Sequence, residues 1–319
     1  MYSKILGTGS YLPKNVRTNA DLEKMVDTTN EWIIERTGIE ERRIASAEET
    51  TSYMGWKAAE KALEASGLKA EDLDLILVGT STAEYAFPTT ACQIQHLLGC
   101  RQIPAFDFVA ACSGFVYGLN IADQYIRCGT YRNILVVGVD AVSNTCDQND
   151  RTTIILFGDG AGAAVVSASE EQGIITSLIQ SDGQFGHLLS LRKVDCQDPQ
   201  QEDRFLHMDG REVFKVAVNT LSSLVATTFE KAGMEPSELD WLVPHQANVR
   251  IIQATARKLG LNVEQQVILT LNRHGNTSAA SVPLALDEGI RSGKIKRGQL
   301  LLLEAFGGGF TWGSALVRY

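Results

Sequence analysis

Long hydrophobic runs are missing from this 319-residue chain. None approaches the roughly 18–20 residues that a bilayer-spanning helix needs. The opening stretch, MYSKILGTGSYLP, also lacks the apolar core of a secretory signal, so a soluble cytoplasmic protein with no membrane association is expected. Cys92, Cys100, Cys112, Cys128, Cys146 and Cys196 show no CxxC spacing and read as free thiols in a reducing compartment. The five histidines form no HExxH and no His/Cys cluster, which argues against a metal site. Positive charge is in deficit, 29 Lys and Arg against 38 Asp and Glu, for a net charge of −9. That balance disfavours nonspecific nucleic-acid binding; an anionic partner has to meet a local basic patch. A nucleotide fingerprint is absent too: GDGAGAAVV (158–166) fails the GxGxxG spacing and runs into a β-branched strand rather than a helix.

What is present alternates. LDLILVGTST (73–82), NILVVGVDAVS (133–143), AGAAVVSAS (161–169), LDWLVPHQAN (239–248), QVILTLNR (266–273) and QLLLLEAF (299–306) read as strands. Residues 52–67, 210–233 and 281–293 read as helices, the first two closed by Gly67 and Gly233. The alternation implies an α/β protein with layered sheets. The chain also repeats itself. SGLKAEDLDLILV (66–78) aligns with AGMEPSELDWLVP (232–244) at an offset of 166, and FGDGAGAAVV (157–166) echoes FGGGFTWGSALV (306–317). Two related halves, residues 1–170 and 171–319, are therefore expected, and with no Pro/Gly/Ser linker between them they should form one body.

Cys112 stands in DFVAACSGFVYGL (107–119), where a strand pattern gives way to Phe115, Leu119, Ala122, Tyr125 and Ile126 at helical spacing. A lone cysteine is most often a small buried hydrophobe. Here Ala110, Ala111, Ser113 and Gly114 leave room for a ligand, and a helix N-terminus should favour the thiolate, so Cys112 reads as a nucleophile. The other five cysteines lack this setting. His245 follows an apolar strand run, where α/β proteins place working residues, although a surface or capping histidine is the competing reading. Asn276, in RHGNTSAAS with His274, is open to reading as a turn residue. By the repeat, that stretch is the second half's equivalent of the Cys112 region, so the two should share a cleft. The glycines of FGGGFTWG (306–313) suit either a turn or backbone N–H groups facing an oxyanion. Arg211, Lys215, Arg250, Arg257 and Lys258 are a solvated face or the seat of an anionic partner.

Taken in order, AACSGF (110–115), FGDGAGA (157–163), PHQAN (244–248), HGNTSAAS (274–281) and EAFGGGFTWGSAL (304–316) resemble the bacterial β-ketoacyl-[acyl-carrier-protein] synthase III enzymes, from GTGSYLP to the final LVRY. The resemblance implies the thiolase fold, two pseudo-symmetric halves in five layers, αβαβα. It implies Cys112, His245 and Asn276 as the catalytic set, with His274 outside it, and backbone N–H groups of Cys112 and Gly308 as an oxyanion hole. Cys112 would take an acyl group from a short acyl-CoA, typically acetyl-CoA, and pass it to the enolate formed from malonyl-ACP, starting fatty-acid synthesis. CoA would lie along Thr28, Trp32, Arg36, Arg151, Gly210, Phe214, Ala247, Asn248 and Arg250, with Trp32 and Arg151 sandwiching adenine. Lys215, Arg250, Arg257 and Lys258 would dock the acidic acyl carrier protein. Val142, Phe157, Leu189 and Leu206 would line the acyl pocket, with Phe87 supplied across a homodimer. No metal or cofactor is implied; CoA thioester and malonyl-ACP are substrates. The loops at 192–204 and 262–267 fit the family pattern least. A related synthase of secondary metabolism with another primer is the alternative. A thiolase would need a second cysteine in FGGGFTWG, a hydrolase would need a base ready to activate water, and a silent binding protein would not keep the full set.

Overall fold

The structure, a computed structural model, describes residues 1–193 and 204–319; Cys196 and most of the 192–204 loop lie outside them. Strands β1 (Tyr2–Tyr11), β2 (Leu75–Gly79), β3 (Ala105–Phe108), β4 (Asn133–Ala141) and β5 (Asp159–Ser169) form one sheet in the order β1-β5-β4-β2-β3. Strands β6 (Ile174–Ser181), β7 (Trp241–Pro244), β8 (Leu300–Gly307) and β9 (Thr311–Arg318) form a second in the order β6-β9-β8-β7. Four strands of the first sheet match the four of the second, β3 being the extra edge strand. In each, the first three strands of that order pair antiparallel and the next pairing is parallel.

Helices α1 (Asn30–Thr37), α2 (Thr51–Ser66), α3 (Thr90–Leu98), α4 (Gly114–Arg127), α5 (Gly210–Ala232), α6 (Val249–Lys258) and α7 (Ser281–Arg291) complete the layers. Strand periodicity of two shows how they stack. On β4, Ile134 and Val136 pack with α4 and α7, whereas Leu135, Val137 and Val139 pack with α2. On β8, Leu301, Leu303 and Ala305 face the same α4–α7 layer, whereas Leu300 and Leu302 pack with α5 and α6. The order is therefore helix, sheet, helix pair, sheet, helix: the thiolase fold. Both sheets are covered on two faces, which is why their central strands read as continuous apolar runs rather than alternating ones.

The repeat offset survives in the backbone. Gly67 and Gly233, 166 apart, cap α2 and α5 at φ +73° and +65°, in the left-handed region that glycine enters without penalty. One strand expectation fails. Within 266–273 only Val267 bridges β7, at Leu242, and Leu271–His274 is a turn of helix. The cause is the buried Gln246 side chain. Its Oε1 accepts the N–H groups of Thr270 and Leu271, and its Nε2 donates to the carbonyls of Pro244 and Ile268. The segment's backbone polar groups are satisfied by an amide instead of a ladder, so pairing stops after one bridge.

Candidate active site

Cys112 lies in a 3-10 turn, Ala111–Ser113, that leads directly into α4. The first bonds of that turn run from Ser113 N–H to Ala110 and from Gly114 N–H to Ala111, which leaves the Cys112 N–H outside the ladder. Gly307 of β8 lies so close that a Cβ there would sit 2.6 Å from the Cys112 nitrogen. The second half repeats the device. Ser278–Ala280 is a 3-10 turn leading into α7, and Ala279 takes the place of the cysteine. Ala111 and Ser278 both hold positive φ, +44° and +52°, in a region that residues other than glycine seldom enter. The carboxylate of Asp140, at the end of β4, ties the turns' surroundings together: it accepts from Thr80 Oγ1, Ser81 N–H, Thr82 Oγ1 and Ala279 N–H.

Cys112, His245 and Asn276 line one cavity of about 100 Å³. His245 follows β7, and its N–H donates to Glu304 of β8 at 2.8 Å. Its ring meets Phe306 edge-on at 5.6 Å, and its Nδ1 lies 2.5 Å from Ser281 Oγ. Asn276 is held by its backbone, giving N–H to Leu156 and accepting from Gly158. Its Oδ1 accepts the Ser278 N–H at 2.9 Å, which leaves the Nδ2 hydrogens as its remaining donors. His274 is also buried, but its Nε2 lies 3.5 Å from Glu288, and it is not part of the cavity wall.

Burial controls ionisation here. It pushes the His245 imidazole down to about 3, so the ring is neutral. It pushes the Cys112 thiol up to about 12, with the nearby Asp140 charge adding to the rise and a Ser278 hydrogen bond opposing it. Depth thus works against the thiolate that a helix terminus favours, and desolvation is the largest influence on this thiol. Glu304, beneath His245, is buried with Oε2 unpartnered, and burial lifts its carboxyl to about 8.

A broad surface cleft leads to the cavity. Trp32, Arg36, Gly210, Phe214, Lys215, Asn248 and Arg250 line it, and Gly210, Phe214 and Asn248 also line the inner cavity with Ala247. Trp32 carries Arg36 on its ring at 5.6 Å and Arg151 at 4.9 Å, and Arg151 donates to the Asp27 carbonyl. Thr28 lies next to Asp27 in the chain, with Oγ1 buried and unpartnered. Beyond Cys112 a second pocket is lined by Val142, Phe157, Leu189, Leu206 and Gly308. Lys215, Arg250, Arg257 and Lys258 are all exposed, Lys215 pairing with Glu212 and Arg250 with Glu35. Phe87 is 85% exposed and outside every pocket that Cys112 lines. Among the described residues no group of three or more His, Cys, Asp or Glu could hold a metal. Asp140, Ser278 and Ser281 were not anticipated; their polar side chains gain meaning only from partners more than thirty residues away.

The family model for the C-terminal part of 3-oxoacyl-[acyl-carrier-protein] synthase III matches residues 229–319, and the model for 3-oxoacyl-[acyl-carrier-protein] synthase III matches residues 106–183. Over all 319 residues and the full length of both chains, the sequence is 62% identical to β-ketoacyl-[acyl-carrier-protein] synthase III 1 of Vibrio vulnificus (strain YJ016). It is 60% identical, with the same coverage, to β-ketoacyl-[acyl-carrier-protein] synthase III of Serratia proteamaculans (strain 568). The crystal structure of 3-oxoacyl-[acyl-carrier-protein] synthase III from Aquifex aeolicus VF5 superposes with a TM-score of 0.94 at 49% identity, covering 99% of this chain and 100% of that one. A cysteine, a neutral imidazole and an amide on one buried cavity, within this fold and at these identities, place the chain in the β-ketoacyl-[acyl-carrier-protein] synthase III family.

Proposed function

We propose that this enzyme joins a short acyl-CoA primer, acetyl-CoA in the first instance, to malonyl-ACP, giving β-ketoacyl-ACP, CoA and CO2 and so starting fatty-acid synthesis. The observation that carries the reading is the convergence of Cys112, His245 and Asn276 on one cavity at the inner end of a cationic cleft. In the first half-reaction the Cys112 sulfur attacks the acyl carbonyl, the C–S bond to CoA breaks, and the thiol proton ends on the CoA sulfur. The backbone N–H groups of Cys112 and Gly308 hold the transient oxyanion. In the second, malonyl-ACP loses CO2 and the electron pair passes into an enolate. That carbon attacks the Cys112 thioester, and the released sulfur takes up one proton. His245 and Asn276 donate to the thioester oxygen as the enolate forms. Both are neutral, so neither carries the penalty of an unpaired buried charge. Decarboxylation produces the carbanion without a strong base, so this chemistry needs no metal or organic cofactor.

The cleft residues Thr28, Trp32, Arg36, Arg151, Gly210, Phe214, Ala247, Asn248 and Arg250 are assigned to CoA, and Val142, Phe157, Leu189 and Leu206 to the acyl group. In this structure Arg151 rests on Trp32, so adenine entry requires it to lift away. Lys215, Arg250, Arg257 and Lys258 are assigned to the acyl carrier protein, whose acidity they complement. A homodimer is part of the proposal: β3 is an edge strand, and Val109 and Phe87 beside it are 74% and 85% exposed. Phe87 would enter the acyl pocket of the partner subunit. The chain is taken to divide near residue 170 into two thiolase-like halves and to act in the cytoplasm; no helix among the described residues is long and apolar enough to cross a membrane. Incubating the enzyme with malonyl-ACP and a panel of acyl-CoA primers, with products identified by mass, tests the reading. Acetoacetyl-ACP from acetyl-CoA is expected; a product two carbons longer only with other primers would transfer the enzyme to the alternative class, and free acid would make it a hydrolase.

A further inference from the structure

We propose that Ser281 is a positioning residue that fixes the tautomer of His245, putting the single ring proton on Nε2 and so making the imidazole a hydrogen-bond donor to the reacting thioester. The proposal rests on the donor role given to His245 above.

Ser281 is the first residue of α7 and is 1% exposed; His245 is 4% exposed. Their 2.5 Å contact joins Ser281 Oγ to Nδ1, and His245 is the sole hydrogen-bond partner of that hydroxyl among the described residues. A neutral imidazole has one N–H and one bare nitrogen, and a hydroxyl has one hydrogen to give. If Nδ1 carried the proton, Ser281 would accept it, and its own buried hydrogen would have no acceptor. A buried donor left without an acceptor bears the full penalty of its lost hydration. If Ser281 donates to a bare Nδ1, both atoms of the contact are satisfied, and Nε2 carries the proton toward the cavity. A second observation points the same way. Nδ1 faces the N-terminal residue of an eleven-residue helix, whose positive end favours a lone pair there over an N–H.

The repeat shows that this pair is an addition to the fold rather than part of it. His245 stands 166 residues after Gly79, and Ser281 stands 167 after Gly114; Gly79 ends β2 and His245 directly follows β7, and Gly114 and Ser281 each open a central helix. In the first half those two positions are glycines in backbone contact, where a Cβ on Gly79 would sit 2.8 Å from Gly114. The second half opens the same joint and fills it with a hydrogen-bonded side-chain pair.

The test is nitrogen NMR of the intact enzyme labelled with 15N-histidine, the His245 signal being assigned by its loss in His245→Ala. Wild-type His245 is expected to show a bare Nδ1 and a protonated Nε2. In Ser281→Ala the tautomers should mix, and malonyl-ACP decarboxylation should fall roughly 10- to 100-fold, while acylation of Cys112 by acetyl-CoA, which also reports correct folding, changes less than about threefold. Ser281→Thr, which keeps the hydroxyl, should restore both signals. A proton on Nδ1 in the wild type overturns the proposal, as does Ser281→Ala with wild-type tautomer and wild-type decarboxylation. His245→Ala that still decarboxylates malonyl-ACP overturns the donor role itself, a failure read separately from the tautomer.

Discussion

The first and second halves build the same joint and use it for different ends. In each, a strand end meets a 3-10 turn with a positive-φ residue, and a central helix follows. The first half keeps Gly79 against Gly114 and places Cys112 in the turn; the second keeps Ala279 in the turn and places His245 against Ser281. The proposed nucleophile and donors therefore sit at non-equivalent places of equivalent scaffolds. Duplication supplied two rigid frames, and a few side chains differentiated them; in the proposed mechanism one frame attacks carbon and the other stabilises charge.

The strongest way to break this division is Cys112→Ser. Transfer of radiolabel from acetyl-CoA to protein should drop at least about a thousandfold, since the nucleophile itself is gone; labelling near wild-type level would reject Cys112. His245→Ala and Asn276→Ala test the other frame. Each should lower malonyl-ACP decarboxylation by about 10²–10³, roughly 3–4 kcal/mol of transition-state stabilisation. Self-acylation should suffer far less. Equal loss in both half-reactions would show that the halves do not divide the work.

Gly79→Ala probes the joint where it has remained plain. Its Cβ would press on Gly114 backbone, which cannot yield like a flexible side chain, so stability should fall by about 1–3 kcal/mol. Thermal unfolding measures this, and an unchanged midpoint would mean that the close approach is not required. Arg250→Glu acts at the cleft mouth. It should raise the apparent KM for malonyl-ACP several-fold and flatten its salt dependence, whereas an unchanged KM would remove Arg250 from the docking face. The smallest effect is expected with pH. His245 stays neutral above about pH 3, so decarboxylation by pre-acylated enzyme should show no imidazole limb between pH 5 and 8. Stability, in contrast, is held above the unfolded histidine value near 6.5. The His274 and His245 contributions should be lost as pH falls from there toward about 4 and 3, because the unfolded chain binds protons that these buried rings do not, while Glu304, lifted to about 8, works the opposite way down to about 4.5; removing Glu304 by Glu304→Gln should therefore steepen the decline.

Much of this comparison was legible in the residues. The 166-residue repeat announced paired strands because Leu-Asp entries and glycine caps are local signals. The small residues around Cys112 marked the tight turn where the Gly307 backbone comes close. The 266–273 strand misled because Val267, Ile268 and Leu269 have strand character, while the Gln246 amide that ends their pairing lies twenty residues upstream. The thiolate expectation weighed a helix terminus and could not weigh depth: the cost of burying charge depends on neighbours brought in from Asp140 and Ser278. The His245–Ser281 contact spans 36 residues and follows no spacing rule.

The turn carrying Cys112 sits on Gly307 of the second sheet, and the turn at Ala279 sits on Gly138 of the first, where a Cβ would come within 2.3 Å of the Ala279 carbonyl. Each half thus carries the floor of the other's turn, a dovetail cut both ways. Neither segment expressed by itself holds a finished wall of the cavity that Cys112, His245 and Asn276 line, and a lineage that lost one copy would lose that cavity.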